Sequence, residues 1–403
     1  IENQINFESK LFEMLYSNNN TYAIGHGTAV NWNDEKAIYT ETMPIVKLKD
    51  LTPDIINKTT NKNFDLNMLE LSELDDYSKI KELLEQYKKW ISQIDKNKTN
   101  VNEQFYDIAE HNIKKCTESL RRMEAGLDLI QNDKDVMLAF QLANKSMHDQ
   151  QMRTSARRKV TGYSGSGYTF EDKKANNNIP KWRPFQIGFI LQNIESIANE
   201  QSKYRENVDL LWFPTGGGKT EAYLGLTAFT LFLRRIKNPL DSGTGVITRY
   251  TLRLLTAQQF ERSAKLICSM ENIRRSNQNL GETPFSIGIW VGSDVTPNRR
   301  TSGTNSAKQN LHDLKNKRAK SKFILQSCPW CGAEIGRPAE NVIENNNIAG
   351  IKTRRSPDGV MLFCPDSSCT FSDSLPVYVV DEDIYDFTPS FLVATVDKFA
   401  LMP

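Results

Sequence analysis

Leu210-Leu-Trp-Phe-Pro-Thr-Gly-Gly-Gly-Lys-Thr-Glu221 is the stretch that decides the fold class. It reads as an apolar strand, a glycine turn and the opening of a helix. Successive glycines let the backbone curl until its N–H groups converge on one anion. At this spacing Lys219 reaches the β- and γ-phosphates of a nucleotide, and the Thr220 hydroxyl holds Mg²⁺. Pro214, Thr215, Gly216, Gly217 and Gly218 form the cradle. Glu221 lies in the first turn of a helix expected over 219–236, whose positive end faces the same phosphate. Lys219 and Thr220 are therefore the candidate catalytic pair, with ATP and Mg²⁺ as cofactors. The strict loop pattern carries a further glycine where this chain has Phe213.

Working outward, the pattern after residue 180 alternates strand and helix. Strands are expected at 209–213, 245–248 and 286–291, and helices at 219–236 and 252–275. Such alternation, with a phosphate loop after the first strand, argues for an α/β fold with a parallel sheet and helices on both faces. Before it, residues 161–180 carry the glycines, serines, asparagines and proline of a linker. From 66 to 158 apolar residues recur at three- and four-residue steps, among them Ile80, Leu83, Leu84, Tyr87, Ile91 and Ile94. That period predicts helices, continuing around 101–130 and 134–152. Residues 1–65 read as a small, irregular, partly β segment. The expected division is a mainly helical domain over 1–160, a linker over 161–180 and a nucleotide-binding domain over 181–403.

Composition narrows the function classes. The 403 residues are 25% charged and 39% apolar, with a formal net charge of +2, which describes a soluble globular protein. So small a net charge leaves nucleic-acid binding to local basic segments, and the basic run between Thr296 and Phe323 reads either as a solvated, mobile insertion or as a contact to a nucleic-acid backbone. No stretch approaches the roughly 20 apolar residues of a membrane span, and the N-terminus lacks a signal pattern. A cytoplasmic protein without a membrane partner is expected. The chain starts at Ile1 and stops just after a motif-like stretch, which suggests a fragment of a longer protein.

Two strings flank the loop. Upstream, Trp182-Arg183-Pro184-Phe185-Gln186 offers an amide whose donor and acceptor match the edge of adenine, and an indole to stack on the base. Downstream, Val246-Ile-Thr-Arg249-Tyr-Thr251-Leu-Arg253 ends a strand and opens a helix with hydroxyls, guanidinium groups and free N–H groups together, an arrangement suited to nucleic-acid phosphates. Phe391-Leu-Val-Ala-Thr395-Val-Asp-Lys398 repeats that arrangement at a second strand end.

The Pro-Thr-Gly-Gly-Gly-Lys-Thr loop resembles that of superfamily 2 helicases, and the downstream strings sit where those proteins carry motifs Ia and Ib. Together with Trp290-Val-Gly292, Thr296-Pro-Asn298 and the cysteine pairs below, residues 180–403 resemble the DrmA family, helicase-like components of DISARM antiphage systems. Asn144-Lys-Ser-Met147 is similar too. The resemblance implies a RecA-like, nucleotide-dependent DNA translocase or helicase that acts with a second protein, DrmB, and normally has two RecA-like domains. Arg249, Thr251, Arg253, Thr395 and Lys398 become the expected DNA contacts. A nucleotide-switched nucleic-acid-binding and assembly module is the alternative. The acidic pair that positions the attacking water has two placements: Asp381-Glu382, which follow an apolar run, or a site beyond Pro403. Without the second domain's arginine finger, hydrolysis is expected to be slow.

Four of six cysteines fall in two pairs, Cys328-Pro-Trp-Cys331 and Cys364-Pro-Asp-Ser-Ser-Cys369. Each spacing lets two thiolates of one turn face a single ion, and four thiolates suit tetrahedral Zn²⁺. A zinc-ribbon-like insertion is expected over 328–372. Cys116 and Cys268 read as inert thiols within helices.

Overall fold

The computed structural model describes residues 2–17, 22–33, 37–43, 52, 54–73, 75–153, 157–164, 167–171, 179–213, 216–251, 253–292, 294–303, 305–318, 320–338 and 348–400. The chain opens with helix α1 (Glu2–Leu15), the antiparallel pair β1 (Ala29–Trp32) and β2 (Ile38–Glu41), the short pair β3 (Ile56–Asn57) and β4 (Lys62–Asn63), and β5 (Leu66–Asn67). Four helices follow: α2 (Met68–Glu73), α3 (Ser78–Asn97), α4 (Tyr106–Asn132) and α5 (Lys134–Met152). A hairpin of β6 (Val160–Ser164) and β7 (Gly167–Phe170) leads to β8 (Lys181–Trp182), α6 (Pro184–Ala198) and α7 (Lys219–Lys237). Then come β9 (Val246–Tyr250), α8 (Arg253–Arg275), β10 (Ile287–Trp290), α9 (Ala307–Lys315), β11 (Ile351–Arg354), β12 (Gly359–Leu362), β13 (Val377–Tyr378), α10 (Asp381–Phe387), β14 (Phe391–Thr395) and α11 (Val396–Phe399).

Local chemistry explains the main helices. In α3 the buried Ile80, Leu83, Leu84 and Ile91 follow the helical period. Asp133 caps α5 by accepting from the N–H groups of Asp135 and Val136, which satisfies two of the helix's orphan donors. α7 starts at Gly218, which has a left-handed φ of 91° that few side chains tolerate, and ends in Arg234, Arg235 and Lys237, cations suited to the negative helix end.

A parallel sheet orders its four strands β13-β10-β14-β9; β10 and β14 are buried throughout, and the edge strand β9 alternates half-buried and exposed residues. The fold is thus mixed α/β with a parallel sheet, as the strand–helix alternation predicts. One apolar core runs without interruption from Phe64 and Ile80 through Leu191 and Phe229 to Val393, so the N-terminal helices and the sheet share their interior. α5 packs on α7 and α8, and α4 lies on α6 so closely that a Cβ on Gly126 would meet the Leu191 carbonyl oxygen at 2.1 Å.

Three expectations change. The segment 209–213 pairs with no strand among the described residues, although its exposure alternates: Val208, Leu210 and Trp212 are 96%, 86% and 74% exposed. Its inward face is anchored by side chains instead. Arg122 of α4 grips Asp209 with two hydrogen bonds of 2.6 and 2.7 Å, Gln192 adds a third, and Phe213 stacks on Phe185 at 4.3 Å. The expected linker over 161–180 contains a β-hairpin, because Tyr163 and Tyr168 pair across it (4.9 Å) where glycines alone suggest a loop. Residues 2–15 are helical rather than irregular.

The Arg122–Asp209 pair gives a test. Both side chains are largely buried (7% and 15% exposed), and removing one partner of such a pair costs about 3 kcal/mol. Arg122→Ala should lower the thermal midpoint by several degrees. The guanidinium holds the Asp209 carboxyl below the usual carboxylate range. Its stabilising contribution is therefore complete above the unfolded pKa, near 3.9, and is lost as pH falls through the lower folded value. Acid titrations of the wild type and Arg122→Ala followed by circular dichroism should converge at low pH.

Candidate functional site

The glycine loop borders a cavity of about 990 Å³. Gly216, Gly217, Gly218, Lys219, Thr220 and Glu221 form one wall, and Trp182, Arg183, Pro184 and Gln186 the second. Asn63, Phe64 and Asp65 come from the N-terminal region, and Gln259 and Arg262 from α8. Pro214 and Thr215 lie outside the described residues. Gly216 and Gly218 both take left-handed φ values, 83° and 91°. A Cβ on Gly218 would also lie 2.8 Å from Gln186 Nε2, so the loop's path depends on glycine there.

The upstream string holds this loop directly. Arg183 Nη1 donates to the Gly217 carbonyl at 2.6 Å, and Gln186 Nε2 donates to the Gly218 carbonyl at 2.7 Å. Gln186 Oε1 meanwhile accepts from the Arg183 N–H at 2.8 Å, closing the first turn of α6. The amide expected to face adenine is thus engaged with the loop. Trp182 is 3% exposed and donates from Nε1 to Asn144 Oδ1 at 2.6 Å, so its indole lies in the core behind the cavity wall rather than across an open face. Lys219 Nζ donates to the Phe213 carbonyl.

Glu221 pairs with Arg262 of α8 across the cavity floor. Arg262 was not singled out by the sequence, since no motif marks it and only the packing of α8 against α7 brings it to the loop. Burial lowers its pKa from the ordinary arginine value.

The expected DNA contacts divide by exposure. β9 and β14 are adjacent and parallel, with Tyr250 opposite Thr395, so their carboxyl ends lie side by side. Arg249 and Thr251 are exposed there. The Arg253 side chain is outside the described residues. Thr395 is only 2% exposed, and Lys398 donates to Asp381 Oδ2 at 2.8 Å.

Asp381 and Glu382 follow β13, at the opposite edge of the sheet from β9, three strand spacings or about 14 Å away. Neither lines the glycine-loop cavity. Burial raises the Asp381 pKa, with Lys398 opposing the shift, and Glu382 accepts from the Arg300 N–H at 2.8 Å. Arg300 and Arg354 both bind Asp383 at 2.6 Å. The acidic turn is thus tied into ion pairs with Lys398, Arg300 and Arg354.

The four paired cysteines do converge. Cys328, Cys331, Cys364 and Cys369 place their sulfurs within 4.8 Å of one another, and Cys331 and Cys364 are 3.3 Å apart. Tetrahedral zinc, with Zn–S near 2.3 Å, needs sulfurs about 3.8 Å apart, so the donor set fits a metal such as zinc. Hydrogen bonding among the four thiols lowers the pKa of Cys331 and Cys369 and raises that of Cys328 and Cys364. Cys268 is fully buried nearby, and burial raises its pKa. The cluster is braced on the helices: Arg158 pairs with Asp366 at 2.6 Å, its N–H donates to the Gly332 carbonyl at 2.7 Å, and Arg153 lies 3.7 Å over the Trp330 ring.

No protein-family profile matches the chain. It is 35% identical over 418 residues to the DISARM protein DrmA of Bacillus paralicheniformis, an alignment that takes in 97% of this chain. The chain is DrmA-like along nearly all its length, and it spans 35% of that relative. No helix among the described residues is long and apolar enough to cross a membrane.

The cysteine cluster makes a direct prediction. Purified chain should carry about one zinc by elemental analysis, and Cys328→Ser with Cys331→Ser should remove it. Because metal binding is coupled to folding, chelation should also lower the thermal midpoint. A chain without metal, unchanged by chelator, would refute the site.

Proposed function

We infer that this DrmA-like chain is the nucleotide-binding half of an ATP-dependent DNA helicase or translocase belonging to a DISARM antiphage system. The observation that carries the reading is the cavity at the glycine loop: Gly216–Gly218, Lys219 and Thr220 stand at the amino end of α7, open to a space large enough for a nucleotide. Lys219 takes the β- and γ-phosphates once it releases the Phe213 carbonyl, and Thr220 holds Mg²⁺. Arg183, Gln186 and the buried Trp182 keep the loop in register.

The parallel sheet supports a RecA-like domain over 181–403, with residues 1–160 as a helical unit and 328–372 as a zinc-stabilised insertion. Arg249, Thr251 and Arg253 at the carboxyl end of β9, with Thr395 and Lys398 at that of β14, are the proposed DNA edge. Arg249 and Thr251 are exposed at that edge, and Lys398 must first leave Asp381. The defence role and a DrmB partner follow from kinship with DrmA, and a cytoplasmic location suits a DNA-directed defence protein.

One observation favours a second reading, a nucleotide-operated assembly switch without motor activity. Among the described residues, the carboxylates lining the cavity are Asp54, Asp65 and Glu221, of which Asp65 and Glu221 are ion-paired to Lys181 and Arg262. Asp381-Glu382 face other partners, so among the described residues Asp54, on the N-terminal segment before β3, is the one cavity carboxylate outside an ion pair.

Titration with a fluorescent ATP analogue and Mg²⁺ tests the shared premise. Lys219→Ala removes charge-assisted hydrogen bonds worth about 1.5–3 kcal/mol, so affinity should fall about 10- to 100-fold. Failure of the wild type to bind would sink both readings. DNA-stimulated ATP hydrolysis by the DNA-bound assembly supports the motor, and nucleotide-dependent assembly without turnover supports the switch.

A further inference from the structure

α8 brings two side chains into the nucleotide cavity that no loop motif contains. Gln259 and Arg262 lie three residues apart and so share a helix face. Gln259 Oε1 is buried with no hydrogen-bond partner among the described residues. Arg262 pairs with Glu221, two residues after Lys219.

The position of Glu221 raises a physical problem. A Cβ on Gly218 would lie 3.4 Å from Glu221 Oε2, so a carboxylate stands against the loop that has to accept phosphate. Glu221 is only 17% exposed, which limits its screening by water. A polyphosphate arriving at the loop meets this negative charge at close range. The other cations of the cavity are held elsewhere: Lys181 by Asp65 at 2.8 Å, Arg183 by the Gly217 carbonyl, and Lys219 by the Phe213 carbonyl. Arg262 is the cation set against Glu221.

We propose that Arg262 is an anion-binding residue of the nucleotide site, held in reserve by Glu221 and transferred to a phosphate of the bound nucleotide. The inference rests on the nucleotide reading above and adds a residue to it. A guanidinium offers a planar fork that suits carboxylate and phosphate equally, so one side chain serves both states. The exchange replaces a single carboxylate by a more highly charged phosphate and keeps Arg262 paired throughout. Gln259, one turn away, can join the guanidinium at the same anion only through its Nε2–H donors, its unpartnered Oε1 being an acceptor. Glu221 acts as the positioning residue: it keeps the guanidinium at the loop while the site is empty, and it competes with the phosphate for it.

The test compares Mg²⁺-dependent binding of fluorescent ATP, ADP and adenosine analogues to the 403-residue chain and its variants. Arg262→Gln should weaken ATP and ADP about 10- to 100-fold while leaving adenosine nearly unchanged. Glu221→Gln, which frees the guanidinium and removes the repelling charge, should tighten ATP. Arg262→Lys should recover part of the loss. A brace that merely fixes α8 to α7 predicts the opposite sign for Glu221→Gln, since losing either partner would then weaken binding. That result overturns the proposal, as does unaltered ATP affinity in Arg262→Gln when Lys219→Ala has lost it. If Lys219→Ala also binds normally, the nucleotide reading itself has failed. Should Arg262→Gln misfold by circular dichroism, the sign of the Glu221→Gln effect still decides.

Discussion

A glycine loop that turns its N–H groups toward an anion must turn carbonyls away from it, and those carbonyls need donors. Here the donors are Arg183 and Gln186 at the start of α6, bound to Gly217 and Gly218. Much of the surrounding structure serves to hold those two side chains still. Pro184 begins α6 with a φ already suited to a helix, and Gln186 Oε1 closes its first turn on the Arg183 N–H. Trp182, just before, is pinned by Asn144 of α5 and by pairing with Leu66. The loop therefore takes its shape from residues far from it in sequence, Arg183 and Gln186 of α6, which Trp182 ties to Asn144 and Leu66 of the N-terminal region.

That dependence explains why the helical region and the sheet share one core. α5 reaches the loop through Asn144 and Trp182, packs on α7 and α8, and leads into the segment that grips the cysteine cluster. α8 begins where β9 ends, lines the cavity with Gln259 and Arg262, and finishes at Arg275, which donates to the Thr370 carbonyl beside Cys369. Cavity, strand ends and cysteine cluster are thus joined through two helices. A metal held by the four thiolates would fix the far ends of both.

The sequence made the helices legible where one face is apolar and the chemistry local. Residues 134–152 and 252–275 read as helices and fold as α5 and α8, because their apolar period survives in the packed core. The four cysteines were legible from their spacing, which reflects the geometry of a knuckle turn. What escaped were features set by distant partners. The segment 209–213 has the composition of a strand, yet Asp209 is claimed by Arg122 from α4, and no local pattern announces that. Gln186 matches a base reader by composition, but in the fold its amide completes the loop. Arg262 had no signal at all, since a salt bridge between successive helices depends on how they cross.

Segment 207–213 shows how such anchoring shapes the site. Its outer row of Val208, Leu210 and Trp212 is bare, and its course rests on a salt bridge at Asp209, the Phe213 stack and the Lys219 bond to the Phe213 carbonyl. A strand held by a ladder resists displacement along its whole length, whereas one held at points yields at the weakest. On the proposed reading Lys219 is the anchor that a bound phosphate would compete for, since both need the same ammonium. A bound nucleotide would, on that reading, remove one anchor from the strand side of the loop, and the Arg262–Glu221 contact would open on the helix side. The loop would be loosened at both ends as the phosphate's own hydrogen bonds form, leaving Arg183 and Gln186 as the constant restraint.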